Sequence, residues 1–147
     1  MIDSNFIKNT AINISNVSRE TLKELDDYGK SIISKNRYIN LISSSTEKSI
    51  NIRHILDSAQ TIDFIDNIKI RTCTDLGSGA GLPGIVLAIL MKPKNPQFKV
   101  ILYEKSFHKS KFLTDMSKKF NLNTEVYQKN IFEEKNLSTD VIICRAF

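Results

Sequence analysis

Residues 75–84 read Asp75-Leu76-Gly77-Ser78-Gly79-Ala80-Gly81-Leu82-Pro83-Gly84. These are residue types that let a small ligand lie against bare backbone. Glycine carries no Cβ and accepts positive φ, so the main chain can turn sharply and be approached closely. A dinucleotide loop would follow G-x-G-x-x-G. Starting from Gly77, its third glycine would fall at position 82, where Leu82 stands. Glu104 lies 23 residues beyond Gly81. A carboxylate at that distance, at the end of the next strand, can accept both ribose hydroxyls of a nucleoside. The loop and the acid together point to a nucleoside cofactor. The acid does not choose which one, and a lone exposed Glu would be only a solvated charge.

These residues need elements to hold them. Ser18 is placed to cap a helix with Leu22, Leu25, Gly29, Ile32 and Ile33 on one face. A second helix is expected after Thr46, with Ile52, Ile55, Leu56, Ala59 and Ile62 at spacings of three and four. The pattern then changes to strand 69–75, helix 84–91, strand 98–104, helix 107–120, strand 124–128 and strand 140–144. The last strand, Asp140-Val141-Ile142-Ile143-Cys144, is apolar enough to be buried on both faces. Such alternation predicts an α/β doubly wound parallel sheet, with an N-terminal helical layer over 1–66 and the first half of the sheet over 67–147. Residues 1–16 show no firm period and are expected to be a mobile lead-in. Right-handed crossovers bring every strand's C-terminal end to one edge, where ligands bind.

Composition is that of an ordinary globular domain, 41% hydrophobic and 25% charged. The longest apolar run, 82–91, contains Pro83 and Gly84 and is far shorter than the roughly 20 residues of a membrane helix. No signal peptide is expected at the N-terminus, and the compartment expected is the cytoplasm. Cys73 and Cys144 have no metal spacing and sit in apolar runs, so both are expected to be buried, reduced thiols. The net charge of +5 suits a nucleic-acid partner without selecting one. Lys105, Lys109, Lys111, Lys118 and Lys119 read best as a solvated helix face.

The alternating glycines behind Asp75 resemble motif I of Rossmann-like methyltransferases. There the loop faces the methionine part of S-adenosylmethionine and the acid helps to hold its ammonium. Further segments make the resemblance more particular over residues 20–147: Asn40-Leu41, His54-Ile55-Leu56-Asp57-Ser58, Leu82-Pro83-Gly84 and Cys144-Arg145-Ala146-Phe147. Together they resemble the RsmG/GidB-type (glucose-inhibited-division-B) small-subunit ribosomal RNA (guanine-N7) methyltransferases.

The resemblance implies a Rossmann-like fold whose sheet carries three further strands, so the chain reads as C-terminally incomplete. Strand four would then be an apolar edge open to pairing. It implies cofactor contacts at Asp75, Gly77, Ser78, Gly79, Gly81, Leu82 and Glu104. Asn130, Ile131 and Phe132 would serve the adenine, and Arg145 would be a cofactor-site arginine. The family often has Asp at the position of Glu104, and Arg and Glu where this chain has Asn130 and Phe132. The implied reaction is methyl transfer to guanine N7 of small-subunit ribosomal RNA, with no metal and no membrane. That nitrogen attacks through a free lone pair and loses no proton, so no catalytic base is expected. His54 and Asp57, three apart on one helical face, are read as a structural pair tying the helical layer to the sheet. Two other readings stay open: a methyltransferase of another substrate, and a chain that binds cofactor without catalysing.

Overall fold

The structure, a computed structural model, describes residues 17–65 and 69–145. The expected lead-in, 1–16, and the last two residues of the Arg145-Ala146-Phe147 segment lie outside the described residues.

Helix α1 (Arg19–Asn36) begins as its capping signal predicts: Ser18 Oγ accepts the Thr21 amide at 3.1 Å. Its stripe buries Leu25, Tyr28, Gly29 and Ile32, while Leu22 and Ile33 pack at the margin. The expected second helix is a broken one. A 3-10 turn (Ser44–Ser49) leads into a π-helical stretch (Asn51–Leu56), then the short α2 (Asp57–Ala59) and α3 (Ile62–Ile65). Thr46 is therefore no N-cap. It lies inside the 3-10 turn and donates its own hydroxyl to the Ser43 carbonyl at 2.8 Å. Widening the helix also takes Ile52 off the buried face, where it is 55% exposed, while Ile55, Leu56, Ala59 and Ile62 stay buried.

Strands β1 (Thr72–Leu76), β2 (Lys99–Tyr103), β3 (Thr124–Tyr127) and β4 (Val141–Cys144) form one parallel sheet in the order β3-β2-β1-β4. Helices α4 (Gly84–Met91) and α5 (Phe107–Lys119) make the crossovers from β1 to β2 and from β2 to β3. All eight residues of α4 are buried. A helix with no polar face must be covered on every side. Here the sheet covers one side, α1 and α2 the other, with α5 alongside. On α5, Phe112, Leu113 and Met116 turn inward, and Phe120 follows them.

Strand β4 departs from expectation. It pairs with β1 in parallel, Leu76 opposite Cys144, but its burial alternates. Ile142 is 53% exposed and Cys144 is exposed, so only Cys73 of the two thiols is buried. The register explains the split. Val141 and Ile143 lie beside Cys73 and Asp75 on the face that packs into the core, while Ile142 and Cys144 point to the opposite face. Burial raises the Cys73 thiol to about 12, helped by the charge of Asp75.

Candidate functional site

The chain leaves β1 toward β2 and β3 on one side and returns to β4 on the other, so the strand order reverses at β1. In an open α/β sheet the crevice beyond the strand ends at such a reversal is the ligand site. All the residues singled out for a ligand lie on that edge. Asp75 is the next-to-last residue of β1, the glycine loop follows that strand, Glu104 follows β2, Asn130, Ile131 and Phe132 follow β3, and Arg145 follows β4.

The loop holds three left-handed glycines, Gly77 at φ 66°, Gly79 at 55° and Gly81 at 79°. Two of them do different jobs. A Cβ on Gly81 would stand 2.5 Å from Ile85, 2.7 Å from the Tyr28 hydroxyl and 2.9 Å from Leu113, so this glycine is demanded by packing. A Cβ on Gly79 would meet nothing nearer than the Gly77 carbonyl at 3.9 Å, so its open side is room for a ligand. Ser78 anchors the loop, its amide donating to the Tyr103 carbonyl at 2.9 Å and its hydroxyl to the Asp75 carbonyl at 3.0 Å. Ser78 and Leu82 are buried.

Asp75 is 1% exposed. Its Oδ2 accepts the Gly84 amide at 3.0 Å, which caps the first free N–H of α4. Gly84 permits that approach, since a Cβ there would stand 2.5 Å from the same oxygen. Among the described residues the other oxygen, Oδ1, is buried without a hydrogen-bond partner. An orphaned carboxylate oxygen is costly, and burial pushes the carboxyl up to about 7; the Gly84 hydrogen bond, the nearby Ser78 hydroxyl and the charge of Arg145 act against that rise. Asp75 Oδ1 is thus the oxygen of this acid that could still accept a hydrogen bond, and a charged donor would gain most from it.

Glu104 is also buried, but both of its oxygens are engaged. Oε2 accepts the Gly79 amide at 2.9 Å and Oε1 accepts the Ser106 amide at 2.8 Å. Each carboxylate oxygen has a second lone pair, so these bonds orient the group without filling it. Asn130 caps the 3-10 turn Ile131–Glu133 by accepting the Phe132 amide at 3.2 Å. Phe132 is 83% exposed.

Arg145 ties the fourth strand to the helical layer. Its Nη1 donates to Asp57 Oδ2 at 3.1 Å and its Nη2 to His54 Nδ1 at 2.8 Å. His54 and Asp57 thus do join the helical layer to the sheet, and each does so through Arg145. Sequence reasoning missed this partner, and it missed Tyr28. Tyr28 is fully buried and its hydroxyl donates to the Ala80 carbonyl, bracing the loop from the side of α1. Burial and the Asp75 charge raise its phenol well above the usual range. The signal was present: Tyr28 sits three residues after Leu25 and four before Ile32, on the same stripe. Among the described residues no group of His, Cys, Asp and Glu could hold a metal, and no helix is long and apolar enough to cross a membrane.

Comparison with known proteins identifies the family of the chain. The family model described as rRNA small subunit methyltransferase G matches residues 21–147. Ribosomal RNA small subunit methyltransferase G of Pelagibacter ubique (strain HTCC1062) is 48% identical over 134 residues, which is 90% of this chain and 62% of that protein. Its namesake from Cereibacter sphaeroides (strain ATCC 17025 / ATH 2.4.3) is 42% identical over 131 residues, 89% of this chain and 62% of that protein. The Rickettsia rickettsii (strain Sheila Smith) protein of the same name is 40% identical over 131 residues, 89% of this chain and 65% of its own. The chain thus spans a little under two thirds of the length of these relatives. Among solved structures, the plantazolicin methyltransferase BpumL in complex with SAH is similar over 85% of this chain and 50% of its own, at TM-score 0.46 and 12% identity. With the family model matching almost all of the chain, and the glycine loop, Glu104 and Arg145 gathered on one sheet edge, the chain belongs to the family of rRNA small subunit methyltransferase G.

Proposed function

We propose that this edge binds S-adenosylmethionine and that the protein transfers its methyl group to guanine N7 of small-subunit ribosomal RNA. The observation that carries the reading is the buried, unpartnered Oδ1 of Asp75 beneath a glycine loop whose open side is at Gly79. S-adenosylmethionine supplies an electrophilic methyl on a sulfonium, together with an ammonium, a carboxylate and a nucleoside by which it can be held. In this reading Asp75 draws in the ammonium. Gly77, Ser78, Gly79, Gly81 and Leu82 present backbone to the methionine part. Glu104 takes the ribose hydroxyls on its free lone pairs. Asn130, Ile131 and Phe132 line the adenine. Arg145 offers its remaining N–H donors to a carboxylate or phosphate.

Guanine N7 needs no base, so the residues at this edge have only to bind, orient and exclude water. Asp75, which titrates near neutrality, is thereby read as a cofactor ligand and not as a proton acceptor. The partner is small-subunit ribosomal RNA, and the compartment is the bacterial cytoplasm.

Calorimetric titration tests the cofactor. S-adenosylhomocysteine should bind and NAD should not, and NAD binding more tightly would overturn the reading. Incubation of intact small subunits with methyl-labelled S-adenosylmethionine tests the reaction. Label should be released as N7-methylguanine on hydrolysis of the RNA. Cofactor binding without such label would leave a methyltransferase of another substrate, or a binding protein that does not catalyse.

A further inference from the structure

Hydrogen-bond directions around His54 determine where its proton is. A guanidinium can only donate, so Arg145 Nη2 at 2.8 Å requires a lone pair on His54 Nδ1. The ring proton must then be on Nε2, which stands 2.8 Å from Thr46 Oγ1. The Thr46 hydroxyl has its own acceptor, the Ser43 carbonyl at 2.8 Å, so its oxygen is free to accept from His54. The chain of donors is complete in one direction only: Arg145 to His54, His54 to Thr46, Thr46 to Ser43. His54 sits in the π-helical stretch Asn51–Leu56, a backbone form that is rare and collects at functional sites.

We propose that His54, in its neutral Nε2–H form and anchored by Thr46, is the positioning residue that sets the guanidinium of Arg145 at the cofactor edge. The proposal rests on Arg145 being a cofactor residue. Asp57 alone would not suffice for this task. It is an exposed carboxylate at 3.1 Å on a single nitrogen, and an exposed pair orients weakly. His54 adds a second bond on the other nitrogen, at an angle fixed by a ring that Thr46 holds from behind. The guanidinium is then held at two of its five N–H donors and keeps the rest for a ligand.

The arrangement has a consequence for pH. A second proton on His54 would fall on Nδ1 and place two donors and two cations face to face. The charged groups around the ring are Arg145 beyond β4, Asp57 on α2 and Arg53 on its own turn. Glu47, on the turn that carries Thr46, is engaged by Asn36 Nδ2 at 2.6 Å. Partial burial and then the Arg145 charge hold the His54 imidazole below its usual range, so it stays neutral near pH 7.

The test is S-adenosylhomocysteine affinity by calorimetry on the full chain. His54→Phe should weaken binding about tenfold near pH 8, the size of one charge-assisted hydrogen bond. His54→Gln, whose amide can accept from Arg145 and donate to Thr46 but cannot titrate, should stay within about threefold. Wild-type affinity should fall as pH drops from about 8 to about 5 through Asp75 and His54 together, and the His54→Gln profile, which keeps only the Asp75 part, should be flatter. In an Arg145→Ala background, His54→Phe should cost nothing more. If Arg145→Ala weakens binding and His54→Phe does not, the proposal is wrong and Arg145 remains a cofactor residue. If Arg145→Ala is itself without effect, the cofactor reading of Arg145 falls and the proposal falls with it. Nitrogen-15 spectra of the wild-type imidazole give a check that needs no variant to fold. Protonation of Nδ1 near pH 8 would overturn the proposal.

Discussion

At the ends of β1 and β2 the ligand edge is made of buried groups. Asp75, Ser78 and Glu104 are each below a tenth exposed, and each is bonded to backbone of the loop or of the next element. At the ends of β3 and β4 it is made of surface. Phe132 stands in solvent on a three-residue turn, and Arg145 is held by side chains alone. The first half can keep its geometry before a ligand arrives. The second is more exposed, and Arg145 in it depends on its bonds to His54 and Asp57 for its position. The two halves of this edge therefore differ in what a substitution should damage: folding as well as binding on the buried side, binding alone on the exposed side.

The largest effect should separate them at Gly81. An added Cβ meets three buried groups and sits at φ 79°, so Gly81→Ala should cost about 3 kcal/mol in chemical denaturation, left-handed strain adding to overpacking. Phe132→Ala should stay within about 0.5 kcal/mol in the same experiment, as a surface substitution. Equal losses would erase the comparison.

Asp75 gives the next effect, through pH. Its folded value of about 7 lies above the ordinary 3.8, so the folded chain holds a proton that the unfolded chain has already released. That contribution is present in full below about pH 4 and is lost as pH rises through about 7. Stability measured at about pH 5 and about pH 8 should differ between wild type and Asp75→Asn by about 2 kcal/mol, the wild type losing more as pH rises. If the cofactor ammonium settles against Oδ1, binding near pH 6 should also release about one proton. Calorimetry in buffers of different ionisation enthalpy would count it, and no release would place the ammonium elsewhere.

Glu104→Ala should weaken S-adenosylhomocysteine by about 1.5 kcal/mol, the lower end of the range for hydrogen bonds to a charged group. A 2′-deoxy analogue should lose affinity for the wild type and little further for the variant. The same loss in both would leave Glu104 as a loop anchor for the Gly79 and Ser106 amides.

The smallest effect sharpens the contrast between the sheet's faces. Cys144 should label quickly with a thiol reagent and Cys73 only on unfolding. Substituting Ser at position 144 should leave the cofactor affinity unchanged. Two slow thiols would mean that the outer face of β4 is covered in solution.

The second helix, expected as one α-helix, is broken into 3-10, π and short α pieces. The amino-acid sequence by itself specified α1, the order of strands and helices from β1 to β4, the glycine loop, and the edge where Glu104 and Arg145 would meet it. It could do so because those features are local. Alternation marks a strand, a capped apolar stripe marks α1, and a glycine run after a strand marks a close-approach turn. Periodicity within a segment does not say what covers that segment, and there the tertiary structure decided. Ile142 and Cys144 carry the same apolar letters as Val141 and Ile143, and only the layers packed on each face separate them. Asp75 reads as an acid at a strand end, yet its burial under α4 comes from the whole core. The bond from Arg145 to His54 joins residues 91 apart in the chain, across a π-helical turn that the spacing of apolar residues had suggested was α. Contacts of that range are made by packing, which no short stretch of sequence contains.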